Sequence, residues 1–312
     1  MVFPLADSIL RSILVGSLYA LIGIGITQTF VVTKIANFAH GELVTIGAYV
    51  AAAMTAVVGF ALSVPIAFVA SAMVVLGTDE LVFKPLVRRR AKTVVLMVAS
   101  LAVAIAIRYS LYLVVVPLGY LTVTTRVSIV TVYSIFGGNV TNLFLWVVPT
   151  TIISVALLEL LFHRTKTGRA MRAVAENVSL ARVSGINVNY VRRVAWIIGG
   201  GIAGVAGSFW ATYAQTTPEL GWSLLLRGFA ATTIGGFSSF SGTIIGGYVI
   251  GFTENLGMDA LNTYVGLDPA FKPALTFAIM VAFLLFRPSG ITLESAAFRK
   301  FLTSVGKRLH LV

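Results

Sequence analysis

Long apolar runs alternate with short polar stretches along the chain, and the runs predict helical spans at 8–32, 38–58, 62–83, 93–116, 143–162, 193–213, 223–236, 242–258 and 272–287. Alternating ten-residue strands are absent, so the pattern predicts helices and not a barrel. The 223–236 run holds about 14 residues, short for a hydrocarbon core of ~30 Å. It reads as half a helix, paired with 242–258 as a re-entrant hairpin. The expected architecture is an all-α integral membrane protein: a polytopic helix bundle of about eight spans (seven to nine) with discontinuous or re-entrant helices. One transmembrane domain covers 1–312.

Composition agrees with this class. The chain is 58% hydrophobic and 11% charged, against about a quarter charged in a soluble domain. It carries a net charge of +12, but the basic residues gather beside spans, at Lys84–Lys92, Arg164–Arg193 and Arg299–Arg308. That placement is a cytoplasmic signature, because basic loops resist translocation, and it argues against nucleic acid as the partner. With 84–92 and 163–192 in the cytoplasm, the stretch 117–142 falls outside, where its Thr and Val content suits a short hairpin. Counting back places the N-terminus outside. That segment lacks a basic leader and its apolar run is too long for a signal peptide. Near the other end, "FRPSG" predicts a helix stop, with Arg287 at the headgroups and Pro288 unable to continue the ladder.

The stretch "KIANFAHGEL", Lys34 to Leu43, places four polar or charged side chains between two membrane-length runs. A charged carboxylate at the bilayer centre costs on the order of 3 kcal/mol, so Glu42 must face a cavity, a partner or the interface. Asn37, His40 and Glu42 therefore either line or gate a path, sit in a cytoplasmic turn, or plug a helix break through hydrogen bonds. Glu42 also suits a helix start, where the dipole favours an anion. An echo follows 199 residues later. "IANFAHGELVTIGAYV" from Ile35 and "IGGFSSFSGTIIGGYV" from Ile234 align without a gap and share Phe38/Phe237, Gly47/Gly246 and Tyr49/Tyr248. If this is an internal repeat, it runs parallel, and Gly235, Gly236 and Ser239 form the second break. Irregular backbone at membrane depth survives only where protein or a water-filled cavity satisfies it.

The longest polar segment, His163–Arg193, contains "TGRAMRAVAENVSLARVSG", which reads as one amphipathic helix. Ala170, Ala173, Val174, Leu180, Ala181 and Val183 form its apolar face; Arg169, Arg172, Glu176 and Arg182 are polar; Gly185 suits the left-handed residue that ends it. Arg172 and Glu176 are placed to pair at i,i+4. A basic helix of this kind either lies on anionic headgroups or docks on a protein. The face of small residues, without Trp or Phe, favours the second. The loop at 163–192, with Asn177 at its middle, is the candidate coupling element.

Other chemistry is poorly supplied. The chain has no cysteine and only three histidines, His40, His163 and His310, and "HGE" lacks the second helical histidine of a zinc site, so no metal is expected. There is no Walker-type loop and no "GxSxG" nucleophile motif. The reading is therefore a non-enzyme with no cofactor of its own. Gly200-xxx-Gly204, Gly207, Gly242-xxx-Gly246 and Gly247-xxx-Gly251 supply small residues for close helix packing. Glu254, about three turns from Gly242, reads as near the external surface or on a path.

Taken in order, "YALIGIGITQTFVVTKIANFAHGELVTIGAYVAA", "TGRAMRAVAENVSLARVSGINVNYVRRVAWIIGGGIAGVAG", "GFAATTIGGFSSFSGTIIGGYVIGFTEN" and "LLFRPSGI" resemble the LivH-type permease subunit of branched-chain amino acid ABC transporters. The resemblance covers nearly the whole chain; 117–142 matches nothing diagnostic, and "GGFSS" replaces a more usual small-residue run. It implies a multi-pass subunit of a prokaryotic inner membrane, importing a branched-chain amino acid or a related small polar solute such as urea or an amide. It also implies a second homologous permease, two ATPase subunits that hold ATP and Mg, and an external solute-binding protein. The alternative from the residues is a self-sufficient secondary transporter or channel using Glu42 and Glu254.

Overall fold

The computed structural model describes residues 5–135, 137–287 and 290–291. Pro288 and the basic cluster at 299–308 lie outside these. The helices are α1 (Leu5–Thr33), α2 (His40–Val58), α3 (Phe60–Arg88), α4 (Thr93–Val115), α5 (Asn142–Arg164), α6 (Lys166–Glu176), α7 (Val178–Val183), α8 (Val188–Tyr213) and α9 (Leu220–Gly235). Phe240–Phe252, Thr253–Gly257 and Met258–Val265 run on as α10, and α11 is Lys272–Phe286. Seven of the described helices are long and apolar enough to cross a membrane. The shorter α9 and the more polar α10 pack inside the bundle with them.

The hydrophobic pattern found the helices but not all their ends. α3 runs through Lys84 to Arg88 instead of stopping at 83, because one wide turn at Asp79–Phe83 absorbs its polar residues without breaking the ladder. α8 starts at Val188, capped by the Asn187 side chain on Tyr190 N. The expected external hairpin is present as β1 (Thr131–Ile135) and β2 (Gly138–Thr141), antiparallel.

α1 is the axis of the fold. Twenty of its residues are buried, and it packs on α5, α8, α9 and α10. The bundle can be oriented from side-chain contacts. Gln28, near the C-terminal end of α1, meets Met171 of α6, whereas Asp7 meets Asn139 of β2. One end therefore carries Lys84–Lys92, α6 and α7, and is the basic end. The opposite end carries the hairpin.

Close packing rests on missing side chains. A methyl group at Gly207 would overlap the Val44 carbonyl oxygen, at Gly204 that of Ala67, at Gly246 that of Ala231 and at Gly242 that of Gly235. Gly200 lies against Val75, Gly247 against Ala20 and Gly251 against Gly16. These contacts let helix backbones touch, which compensates for the lack of a hydrophobic drive between helices in lipid. Gly207→Val should force α8 from α2 and cost about 1–3 kcal/mol. Gly77→Ala, where nothing lies within 4 Å, should be neutral. Thermal midpoints in detergent compare the two, and an unchanged midpoint for Gly207→Val would remove this account of the interface.

Candidate functional site

The polar stretch that opens the second span folds as a re-entrant segment. α1 ends at Thr33, and Lys34 turns the chain with φ +55°. Residues 34–37 have no regular structure. They carry the chain back along α1 until the His40 ring lies against Gly25. Gly25 is eight residues inside the helix end, about 12 Å along its axis. Asn37 Oδ1 accepts from Ala39 N at 3.0 Å, and Phe38 N donates to Ser100 Oγ at 3.0 Å. The irregular backbone is thus satisfied by protein, as membrane depth requires. α2 begins where these bonds leave off. Ser100 stands seven residues from one end of α4 and Arg108 seven from the other, so the start of α2, held between them, lies more than about 10 Å inside each end of that helix.

Glu42 lies in the first turn of α2 and is 1% exposed. Its Oε1 accepts from Arg108 Nε at 3.1 Å and also from Nη2. Its Oε2 has no hydrogen-bond partner among the described residues. Arg108 is the only charged residue of α4, and its guanidinium stacks over Trp222 of α9 at 5.5 Å. His40 is buried, and neither ring nitrogen makes a hydrogen bond of normal geometry among the described residues.

The second break is tighter. α9 ends at Gly235, Gly236 takes the left-handed conformation at φ +79°, and Ser239 caps α10 by accepting from Gly242 N at 3.0 Å. The left-handed residue is a glycine because a Cβ would be strained there. The helices after the two breaks start at His40 and Phe240, within one residue of the 199-residue offset. α1 and α9 both run toward the basic end, so the two breaks have the same sense.

The breaks meet through aromatic rings and not through their polar groups. Phe38 lies 5.3 Å from Phe229, Phe229 lies 6.2 Å from Phe237, and Phe237 lies 4.7 Å from Phe30. These rings are half-buried, and Trp222 is exposed. Together with Arg108 they form an open strip up one side of the bundle. Arg108 and this aromatic strip escaped the sequence reading, although a lone arginine in a 23-residue apolar helix is itself a signal of an intramembrane partner.

Glu254 corrects an expectation. It is 2% exposed and lies inside the bundle beside Tyr19 instead of at the external surface. Arg227 Nε donates to it at 2.8 Å, Tyr19 Oη donates at 2.6 Å, and the Thr276 hydroxyl donates too. Every strong acceptor position has a partner, so this carboxylate ties α1, α9, α10 and α11 together. Such saturation suits a packing element and leaves little for a coupling ion.

The polar loop also differs from its expected form. It is two helices, α6 and α7, because Asn177 leaves helical geometry and its side chain caps α7 on Leu180 N at 2.9 Å. The break turns the two halves differently. Val174 and Ala181 point into the protein, Ala170 and Ala173 are half-buried against the core, and Leu180 and Val183 are 65% and 86% exposed. Ala181 is therefore covered within this chain. Arg172 donates to the Phe162 carbonyl instead of pairing with Glu176, which is exposed like Arg169. Gly185, at φ +80°, follows α7 as expected. At the base of α8, Arg192 lies 3.3 Å from buried Asp79, Arg193 binds Glu80, and Trp196 stacks on Phe83. The start of α8, where the loop ends, is thus clamped to α3.

The family profile described as branched-chain amino acid transport system, permease component, matches residues 8–284. A probable branched-chain amino acid transport permease protein LivH of Methanocaldococcus jannaschii is 34% identical over 289 residues, covering 90% of each chain. The high-affinity LivH permease of Escherichia coli K12 is 27% identical over 90% of this chain and 93% of its own. The BraD permease of Pseudomonas aeruginosa is 27% identical over 93% and 96%. No solved structure matches the chain. With its buried re-entrant helix start, its seven membrane-length helices and these relatives, the chain is a multi-pass membrane transport subunit and not an enzyme, and it belongs to the family of branched-chain amino acid transport system permease components.

Proposed function

We propose that the strip of Arg108, Trp222, Phe38 and Phe229, with Glu42 buried behind Arg108, is this chain's half of the path for a branched-chain amino acid or a related small polar solute. The observation that carries the reading is a half-satisfied carboxylate, paired with an arginine, at a helix start in the middle of the membrane. Once the path opens at Glu42, a zwitterion offers an ammonium to the unpaired oxygen of Glu42 and a carboxylate to the remaining donors of Arg108. An apolar side chain suits the neighbouring rings. The other half of the path belongs to a second homologous permease in the prokaryotic cell membrane, and an external binding protein delivers the solute. The basic end is cytoplasmic. There the exposed tip of α7 receives one ATPase subunit and the second permease receives the other; the ATPases hold ATP and Mg. Asn37 and His40 hold the re-entrant segment, while Gly235, Gly236 and Ser239 form the turn that lets α9 and α10 move against it.

Reconstitution into liposomes tests this reading. Uptake of labelled leucine should require the ATPase subunits, ATP and the binding protein. The chain alone should show no uptake under a proton or sodium gradient, and robust gradient-driven uptake by it would establish the secondary-transporter reading instead.

A further inference from the structure

A further pairing of carboxylate and guanidinium stands far from the strip. At the hairpin end, a cavity of about 280 Å³ opens between the start of α1, the hairpin, the start of α5 and the end of α8. That is just under the ~300–1,000 Å³ usual for small-molecule sites. Asp7 and Arg11 stand on its wall, 3.1 Å apart. Tyr213 adds a phenol, and Leu14, Leu143 and Phe144 form an apolar wall. The pair is incompletely used. Among the described residues Arg11, about half exposed, spends one nitrogen on Asp7, and Asp7 accepts one further, long bond at 3.4 Å from Asn139 N. An arginine has five donors and a carboxylate about four acceptor positions.

We infer that this cavity binds a zwitterion carrying a primary ammonium, an anionic group and an apolar substituent. Asp7 takes the ammonium, Arg11 the anion, and the apolar wall the substituent. The inference does not use the transport reading. Two sources share the chemistry: a free amino acid, and a phosphatidylethanolamine whose headgroup sits at this end of the bundle. The site has a route inward. Tyr213 packs on Trp210 at 5.5 Å, Trp210 on Tyr19 at 6.0 Å, and Tyr19 donates to Glu254. An occupant therefore bears on the network that ties α9 and α10 to α1.

The test uses the full chain in nanodiscs of phosphatidylcholine, whose quaternary ammonium cannot donate a hydrogen bond to Asp7. L-leucine is added and followed by calorimetry; separately, phosphatidylethanolamine is mixed in and retained lipid is counted by native mass spectrometry. One probe should bind one to one, and its affinity should fall about tenfold or more in Asp7→Asn and in Arg11→Gln. Leucine as the probe assigns a free-solute site, and phosphatidylethanolamine a headgroup site. Thr131→Trp, a change on the exposed hairpin that fills the mouth, should abolish the same binding without unfolding α1. One-to-one binding of neither probe, or affinities unchanged across the three variants, overturns the site.

Discussion

Arg108→Leu should leave little folded protein, whereas Arg108→Leu combined with Glu42→Gln should fold but not transport. The single change strands Glu42, which is 1% exposed, without a counter-charge. Breaking one partner from a buried pair costs about 3–5 kcal/mol, a large share of the ~5–15 kcal/mol that holds a domain together. Neutralising both members removes the buried charge as well as the attraction, and such replacements are often neutral for stability. If the pair contacts solute, the double variant recovers the monodisperse peak and thermal midpoint in detergent while ATP-driven leucine uptake stays lost. The molecule supplies its own control. Glu254 and Arg227 are a second such pair, whose carboxylate is saturated by Arg227, Tyr19 and Thr276. Glu254→Gln with Arg227→Leu should therefore recover folding and uptake together. A Glu42/Arg108 double variant that transports like the parent would reduce that pair to scaffolding too.

The two pairs also show how far the sequence could be read. Long apolar runs placed nearly every helix, since run length and burial follow directly from the bilayer. The break at 34–39 was visible because Asn37, His40 and Glu42 cannot sit in lipid unpaired. Its direction was not visible: nothing local says that the chain climbs back beside Gly25 instead of resting at the surface. The partner of Glu42 lies 66 residues away on α4, and tertiary packing alone chooses it. Arg108 and Arg227 were nonetheless findable as single charges within apolar runs. The loop failed for a different reason. A period of 3.6 continues smoothly through Asn177, and only its side-chain cap on Leu180 N reveals that one helix has become two. The wide turns at Asp79–Phe83 and Thr253–Gly257 change hydrogen-bond register without changing the hydrophobic pattern, so they leave no trace in it.

That correction moves the expected coupling surface to α7, and with it the second large effect. Leu180→Asp and Val183→Asp should together abolish ATP-driven uptake while leaving the isolated subunit's thermal midpoint in place. Both side chains are mostly exposed and support nothing inside the fold, and surface changes of this kind usually fall within about ±0.5 kcal/mol. Buried in an ATPase cleft, each would contribute about 1.5–3 kcal/mol, and an aspartate there would add an unpaired charge. Association with the ATPase should therefore weaken by roughly tenfold to a hundredfold per substitution, read by co-purification and by uptake. Ala173→Leu should behave in the opposite way. Ala173 is half-buried and packs against the core, so enlarging it should lower the midpoint before it touches any partner. Intact ATPase association in the α7 double aspartate variant would send the docking surface elsewhere along 163–192. The charges Arg169 and Glu176 on α6 would then be next to test, because both are exposed.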